Sequence, residues 1–67
     1  MQNKYNPKDP RVIGLMAEKV APLISLKLHR EVTPEEIASE ALRGNFEYKY
    51  IDSFETRCAK LVEWLTA

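Results

Sequence analysis

The sequence DPRVIGLMAEKVAPLISLKLHR, residues 9–30, contains the longest helical pattern in the chain. It opens with aspartate and proline, which is typical of a helix start. The carboxylate accepts from free amides of the first turn, and proline has no amide that needs a partner there. Apolar residues then recur at helical spacing, namely Val12, Ile13, Met16 and Val20. The pattern predicts a long first helix from about Pro10 to about Arg30.

Pro22 interrupts this pattern, because proline removes one helical hydrogen bond and its ring crowds the preceding turn. The helix must therefore kink or end there. Over residues 24–28, apolar and polar side chains also alternate, which fits a half-buried strand. We favour a helix that is kinked at Pro22. The alternative is an α+β arrangement in which residues 24–28 and 46–50 pair as two short strands.

A second start signal lies at Thr33 and Pro34, and Glu36 completes a capping box. The apolar residues that follow form one narrow stripe: Ile37, Ala38, Ala41 and Leu42. Gly44 comes next, as the residue that tolerates a left-handed cap. We therefore predict a second helix over residues 33–43.

The last segment has two possible starts. Asn45 can cap one long helix, or Asp52 and Glu55 can form another capping box that leaves residues 46–50 extended. Both alternatives predict a helix from about Asp52 to Leu65. Its buried residues should be Phe54, Cys58, Leu61, Val62 and Leu65.

These elements predict an all-α fold, a small three-helix domain over residues 9–67 that follows a flexible N-terminal arm over residues 1–8. A chain of 67 residues buries only about 60% of the surface that it exposes when unfolded. Cys58 is the only cysteine and His29 the only histidine, so no internal disulfide and no Cys/His zinc site is expected. We expect a second copy or a partner to add stability.

Charge is balanced overall but uneven along the chain. Ten basic and ten acidic residues give a net charge of zero, so no net field attracts nucleic acid or an anionic membrane. Residues 1–31 contain six basic and three acidic residues, whereas residues 32–67 contain four and seven. This polarity can orient a dimer or a charged partner. A free thiol, with no signal sequence and no apolar run of about 20 residues, predicts a cytoplasmic protein.

Catalytic and cofactor chemistry have no support in the sequence. Cys58 lies on an apolar stripe, where thiols are usually inert, and His29 suits the end of a helix dipole. The acidic residues Glu35, Glu36 and Glu40 fall in the first turns of a helix, which accounts for them. We predict that the protein is not an enzyme and binds no cofactor or metal.

The segment EEIASEAL resembles the first helix of the helix-turn-helix family. The residues that carry the resemblance are Ile37, Ala38 and Ala41. It implies a DNA-binding regulator, with Arg57 and Lys60 as the residues that contact nucleic acid. The segment departs from the family because Gly44 falls late and the next helix begins some eight residues later, whereas the family has a turn of about 3–4 residues. DNA binding is therefore the alternative prediction.

The leading prediction is an interaction surface. A helix that runs through Pro22 has more apolar circumference than two short helices can cover, and the surplus favours an interface. Trp64 is either its anchor or a rim residue that caps the core. We expect Tyr48 to be partly exposed and Phe46 to be in the core or an interface. The predicted contacts are Leu15, Leu23, Leu26, Tyr50 and Trp64.

From these contacts we predict a small non-enzymatic protein-interaction module. We expect a homodimeric accessory or regulatory protein, of the kind found in bacteria or phages, that binds a larger protein. The attribution to bacteria or phages follows from the small size of the chain. Nucleic acid and membranes are not expected partners.

Overall fold

A computed structural model describes residues 6–67 and contains three helices over that range. They are α1 (Pro10–Leu28), α2 (Pro34–Arg43) and α3 (Phe54–Thr66). Helices account for 68% of the described residues, and none of residues 6–67 forms a strand. The all-α prediction is confirmed. The two-strand alternative is wrong. Residues 24–28 continue α1, and residues 46–50 lie in a connection that contains no strand.

Helix α1 begins as predicted and continues without a break through Pro22. The Asp9 carboxylate accepts a hydrogen bond of 3.0 Å from the amide of Arg11. Pro22 is exposed, so its ring points to solvent rather than into the packed side of the helix. The helix ends two residues before the predicted position. His29 follows in the left-handed conformation, with φ 57° and ψ 37°, and stops the helix.

The first connection, residues 29–33, is short and hydrogen-bonded to α1. The Ser25 hydroxyl donates to the Val32 carbonyl at 3.2 Å and accepts from the Val32 amide at 2.9 Å. Thr33 then caps α2 by accepting from the Glu36 amide at 3.1 Å. This is one of the two hydrogen bonds of the predicted capping box. The Glu36 carboxylate does not make the second one, because it lies 3.2 Å from the Arg30 guanidinium instead.

Gly44 ends α2 as predicted, but the predicted left-handed conformation is wrong. Its φ of −90° and ψ of −158° describe extended backbone. The reason for glycine is space. A Cβ atom at this position would lie 2.7 Å from two carbons of the Trp64 ring and 3.1 Å from the Glu40 carbonyl oxygen. A side chain at residue 44 would therefore require the indole to move.

Helix α3 begins after a second, longer connection over residues 44–53. Asn45 starts no helix, so the long-helix alternative is wrong. The prediction that Asp52 caps α3 is off by one residue, since the Ser53 hydroxyl accepts from the Thr56 amide at 3.2 Å. Asp52 instead pairs with Lys60 at 2.9 Å. Asp52 and Ser53 are adjacent residues that can each cap a helix, and the Ser53 hydroxyl is the one that reaches the amide.

Tyr48 in this connection is buried, with 4% of its surface exposed, so the expected partial exposure is wrong. Its hydroxyl donates to the Asn6 carbonyl at 2.8 Å, and its amide donates to the Pro7 carbonyl at 3.3 Å. The Lys8 amine also donates to the Gly44 carbonyl. Residues 6–8, which belong to the predicted arm, are thus hydrogen-bonded to the connection. Residues 1–5 of that arm lie outside the described residues.

The core lies between α1 and the two shorter helices, which both pack on α1 and hardly contact each other. The predicted stripe of α3 is confirmed, with its central residues buried and Phe54 and Leu65 half-buried at its two ends. Together with α1 and the connections it forms one cluster. Its buried members are Ile13, Met16, Ala17, Val20, Ala21, Ile24, Val32, Ile37, Ala41, Phe46, Tyr48, Cys58, Leu61 and Val62.

Candidate functional site

Three exposed leucines lie on α1 outside the buried core, and Leu23 among them borders α3. Leu15, Leu23 and Leu26 are 60%, 45% and 72% exposed. At about 3.6 residues per turn, Leu15, Lys19, Pro22 and Leu26 fall on one side of the helix, and Leu23 lies at its edge. We call these five residues the leucine face. It contains all three α1 residues that the sequence predicts as contacts.

The charges on and beside the leucine face are mostly positive. Within residues 6–67, neither Lys19 nor Lys27 has an ion-pair partner. Arg11 lies one turn before Leu15, 3.9 Å from the Asp9 carboxylate. Glu18 is the only acidic residue of α1. The leucine face is therefore apolar with an unneutralised lysine inside it.

A shallow groove of about 200 Å³ separates the leucine face from α3. Lys19 and Leu23 form one wall of the groove. The complete lining is Lys19, Val20, Leu23, Cys58, Ala59 and Val62. Its volume is below the roughly 300–1,000 Å³ of most small-molecule sites, and its lining is mainly aliphatic. The groove can accept a side chain or the edge of a helix better than it can enclose a ligand.

A second exposed apolar surface lies in the connection between α2 and α3. Tyr50 is 68% exposed and Ile51 is 87% exposed. A hydrogen bond of 3.1 Å from the Asp52 amide to the Lys49 carbonyl closes the turn that presents them. We call Tyr50 and Ile51 the tyrosine–isoleucine turn. The sequence predicts Tyr50 as a contact residue, whereas Ile51 is a new candidate.

Arg57 holds the tyrosine–isoleucine turn in place from α3. Its guanidinium donates to the Lys49 carbonyl at 3.3 Å and to the Tyr50 carbonyl at 3.1 Å. The same guanidinium lies 4.3 Å from the centre of the Tyr48 ring. Because two of its donors and one face of the guanidinium already make contacts within the chain, Arg57 is held towards the turn, which disfavours a contact with phosphate.

Lys60, the second predicted nucleic-acid contact, pairs with Asp52 at 2.9 Å. This ion pair links α3 to the end of the connection. Both cations that the helix-turn-helix alternative requires thus make contacts within the chain. The helix that should present them packs on α1 rather than across α2.

Trp64 lies against the protein's own core rather than extending into solvent. Its ring is 5.6 Å from that of Phe46, centre to centre, at an angle of 57°. The indole nitrogen donates to the Asn45 side-chain oxygen at 3.0 Å, and the ring covers Gly44. Of the two interpretations of Trp64, these contacts favour the rim residue that caps the core.

Cys58 and His29, which the sequence singled out, lie in different environments. Burial is the main factor that raises the pKa of the Cys58 thiol above its ordinary value, so little thiolate is present near neutral pH. His29 lies exposed at the end of α1. Within residues 6–67 no three metal-ligating side chains cluster, and no helix is long and apolar enough to cross a membrane.

The candidate functional surface thus consists of two exposed apolar patches on a small all-α scaffold. Sequence reasoning missed Ile51, because it belongs to no periodic stripe. It also missed Arg57 as the residue that fixes the turn, because hydrogen bonds to distant carbonyls leave no spacing pattern. The fold and these patches define a class, namely a three-helix protein in which two short helices pack on one long helix. No protein-family model matches the chain, and neither the curated proteins nor the solved structures contain a match.

Proposed function

We propose that the protein is a non-enzymatic interaction module, a homodimeric accessory or regulatory protein of bacterial or phage type that binds a larger protein. The observation that carries the proposal is the pair of apolar patches outside the core. Contiguous exposed apolar patches on small proteins often mark interaction sites. Two separate patches provide one surface for a second copy and one for a partner.

The tyrosine–isoleucine turn is the surface that suits a second copy. Residues 47–60 contain three basic and three acidic residues, so a two-fold pairing can bring each sign opposite the other. Arg57 and the hydrogen bond from Asp52 to Lys49 hold the turn before any contact is made. A preorganised anchor loses little conformational entropy on binding.

The leucine face is then available for the larger protein. Leu15 and Leu26 are the most exposed leucines of the described chain. A stable interface usually covers about 800 Å² on each partner, about one sixth of the accessible surface of 4610 Å². The two patches belong to different elements, since one lies on α1 and the other in the connection before α3. For the compartment we propose the cytoplasm, where the thiol of Cys58 stays reduced.

Sedimentation velocity at micromolar concentration tests the homodimer. We expect the wild-type chain to sediment as a dimer and Ile51→Asp to sediment as a monomer. Leu26→Glu is the matched control, since it also places a carboxylate on an exposed apolar position but should leave the dimer intact. A wild-type chain that remains monomeric would contradict the homodimer.

A tagged pull-down from the source cell tests the larger partner. The partner should be retained by Ile51→Asp and lost with Leu26→Glu, and nuclease treatment should not release it. Loss in neither variant would contradict the proposal that these patches bind it. The DNA-binding alternative has less support, because Arg57 and Lys60 make contacts within the chain. It predicts a salt-dependent shift of duplex DNA.

A further inference from the structure

We propose that the leucine face of α1 binds an amphipathic helix of another protein, one whose apolar residues are bordered by aspartates or glutamates. The inference rests on the proposed function and names the chemistry of the larger partner. It depends on where Lys19 lies within the leucine face and on the charges beside it.

Lys19 lies within the leucine face rather than beyond its edge. The residues at positions 15, 19, 22 and 26 are spaced by four, three and four, and fall within about 60° of the helix circumference. This spacing is that of the seam between helices packed side by side. The two outermost leucines lie about 16 Å apart along the helix axis. A partner helix of about four turns therefore covers the face.

A second copy of α1 fits this seam poorly. In a symmetric antiparallel pairing, Leu15 of one copy meets Leu26 of the other. The two Lys19 side chains then lie on the same side of the contact between the helices, and they are separated by only about 5 Å along the helix axis. In a symmetric parallel pairing, Lys19 faces its own copy directly. Both pairings place like charges together in a contact that excludes water, which disfavours them.

A helix with acidic borders removes this conflict. Its carboxylates can pair with Lys19 and with Lys27, neither of which has an ion-pair partner among residues 6–67. Its apolar residues can cover Leu15 and Leu26 and extend towards the groove beside Leu23. The positive charge of Lys19 and Lys27 thus favours a partner helix with acidic residues. Because α1 is already folded, this side of the contact needs little ordering.

The test uses a synthetic helical peptide as the probe. The peptide has leucines spaced by four, three and four residues, each bordered by glutamates. Two controls match it, one with lysines in place of the glutamates and one with the same residues in scrambled order. Amide chemical shifts of the whole protein, followed during titration, locate the binding site and give its affinity.

We expect the acidic peptide to bind and to shift the amides of α1 around Leu15 and Leu26. Lys19→Glu should weaken its binding about tenfold or more and should instead favour the lysine peptide. Arg43→Glu is the control, an equal change of charge at an exposed basic residue of α2 that lies outside both patches. It should leave the affinity for the acidic peptide within about twofold.

Five results would overturn the inference. The acidic and lysine peptides could bind equally well, or the shifts could fall outside α1. Vesicles rich in phosphatidylserine could bind the protein through the leucine face while the peptide does not, which would assign the face to a membrane. Leu26→Glu could abolish dimerisation, which would assign the face to a second copy. A partner that is lost with Ile51→Asp but kept by Leu26→Glu would refute this inference and leave the interaction module standing.

Discussion

The two connections of this fold are held in place by different means. Residues 29–33 join α1 to α2 through hydrogen bonds between near neighbours, above all the pair between Ser25 and Val32. Residues 44–53 join α2 to α3 through side chains that reach in from remote positions. Trp64 covers the start of this connection and Arg57 binds its end. A short connection can be specified locally, whereas a long one depends on the tertiary structure around it.

The strongest test of this difference is Phe46→Ala. Phe46 is buried and packs on Trp64, so its loss leaves a cavity under the long connection. We expect the free energy of unfolding to fall by about 3–5 kcal/mol, measured by urea denaturation. Leu42→Ala, at an exposed leucine of α2, should cost much less. Equal losses would show that the long connection does not depend on its buried aromatic residue.

Gly44→Ala tests the close approach of Trp64. The added methyl group overlaps the indole, so we expect a loss of about 1–3 kcal/mol in the free energy of unfolding. In a Trp64→Ala background the same change should cost much less, because only the close approach to the Glu40 carbonyl oxygen remains. A double-mutant cycle by chemical denaturation measures this coupling. Additive effects would mean that the ring moves aside at little cost.

Ser25→Ala tests the short connection. It leaves the amide and carbonyl of buried Val32 without their hydroxyl partner, and we expect a loss of about 1–2 kcal/mol in the free energy of unfolding. Ser39→Ala, on the exposed side of α2, is the control and should change stability by less than about 0.5 kcal/mol. If both substitutions behave alike, the local hydrogen bonds do not hold this connection.

Arg57→Ala should have the smallest effect on global stability, about 1 kcal/mol, because the guanidinium is partly exposed. Its local effect should be larger. The Asp52 amide, which closes the tyrosine–isoleucine turn, should exchange its hydrogen faster because the turn opens more often. Arg43→Ala removes an exposed arginine of the α2 pair with Glu40 and should leave this exchange unchanged. Unchanged exchange in Arg57→Ala would show that the turn is ordered without the arginine.

The difference between local and remote contacts also explains which parts of the fold could be predicted from the sequence. Asp9 and Thr33 act as caps where predicted, and the buried stripe of α3 was predicted correctly, because caps and helical stripes are local or periodic. The burial of Tyr48 could not be predicted. Alternating residues of a connection give no sign of which one meets the core.

The candidate site was predictable to a similar extent. Leu15, Leu23 and Leu26 followed from the surplus of apolar residues on α1, and all three are exposed. Trp64 could be either an anchor or a cap by sequence, since its environment depends on Gly44 and on the path of the chain after it. The role of the three leucines as contacts stays a prediction.

The contact between Gly44 and Trp64 also has a consequence for sequence evolution. The indole lies where a Cβ at residue 44 would be placed, so a side chain at residue 44 has a cost in stability while the tryptophan is present. A lineage that keeps the tryptophan is therefore expected to keep the glycine, whereas a smaller residue at position 64 lowers the cost of varying position 44. This linked pair, twenty positions apart in the chain, should remain recognisable in distant relatives after their exposed leucines have diverged.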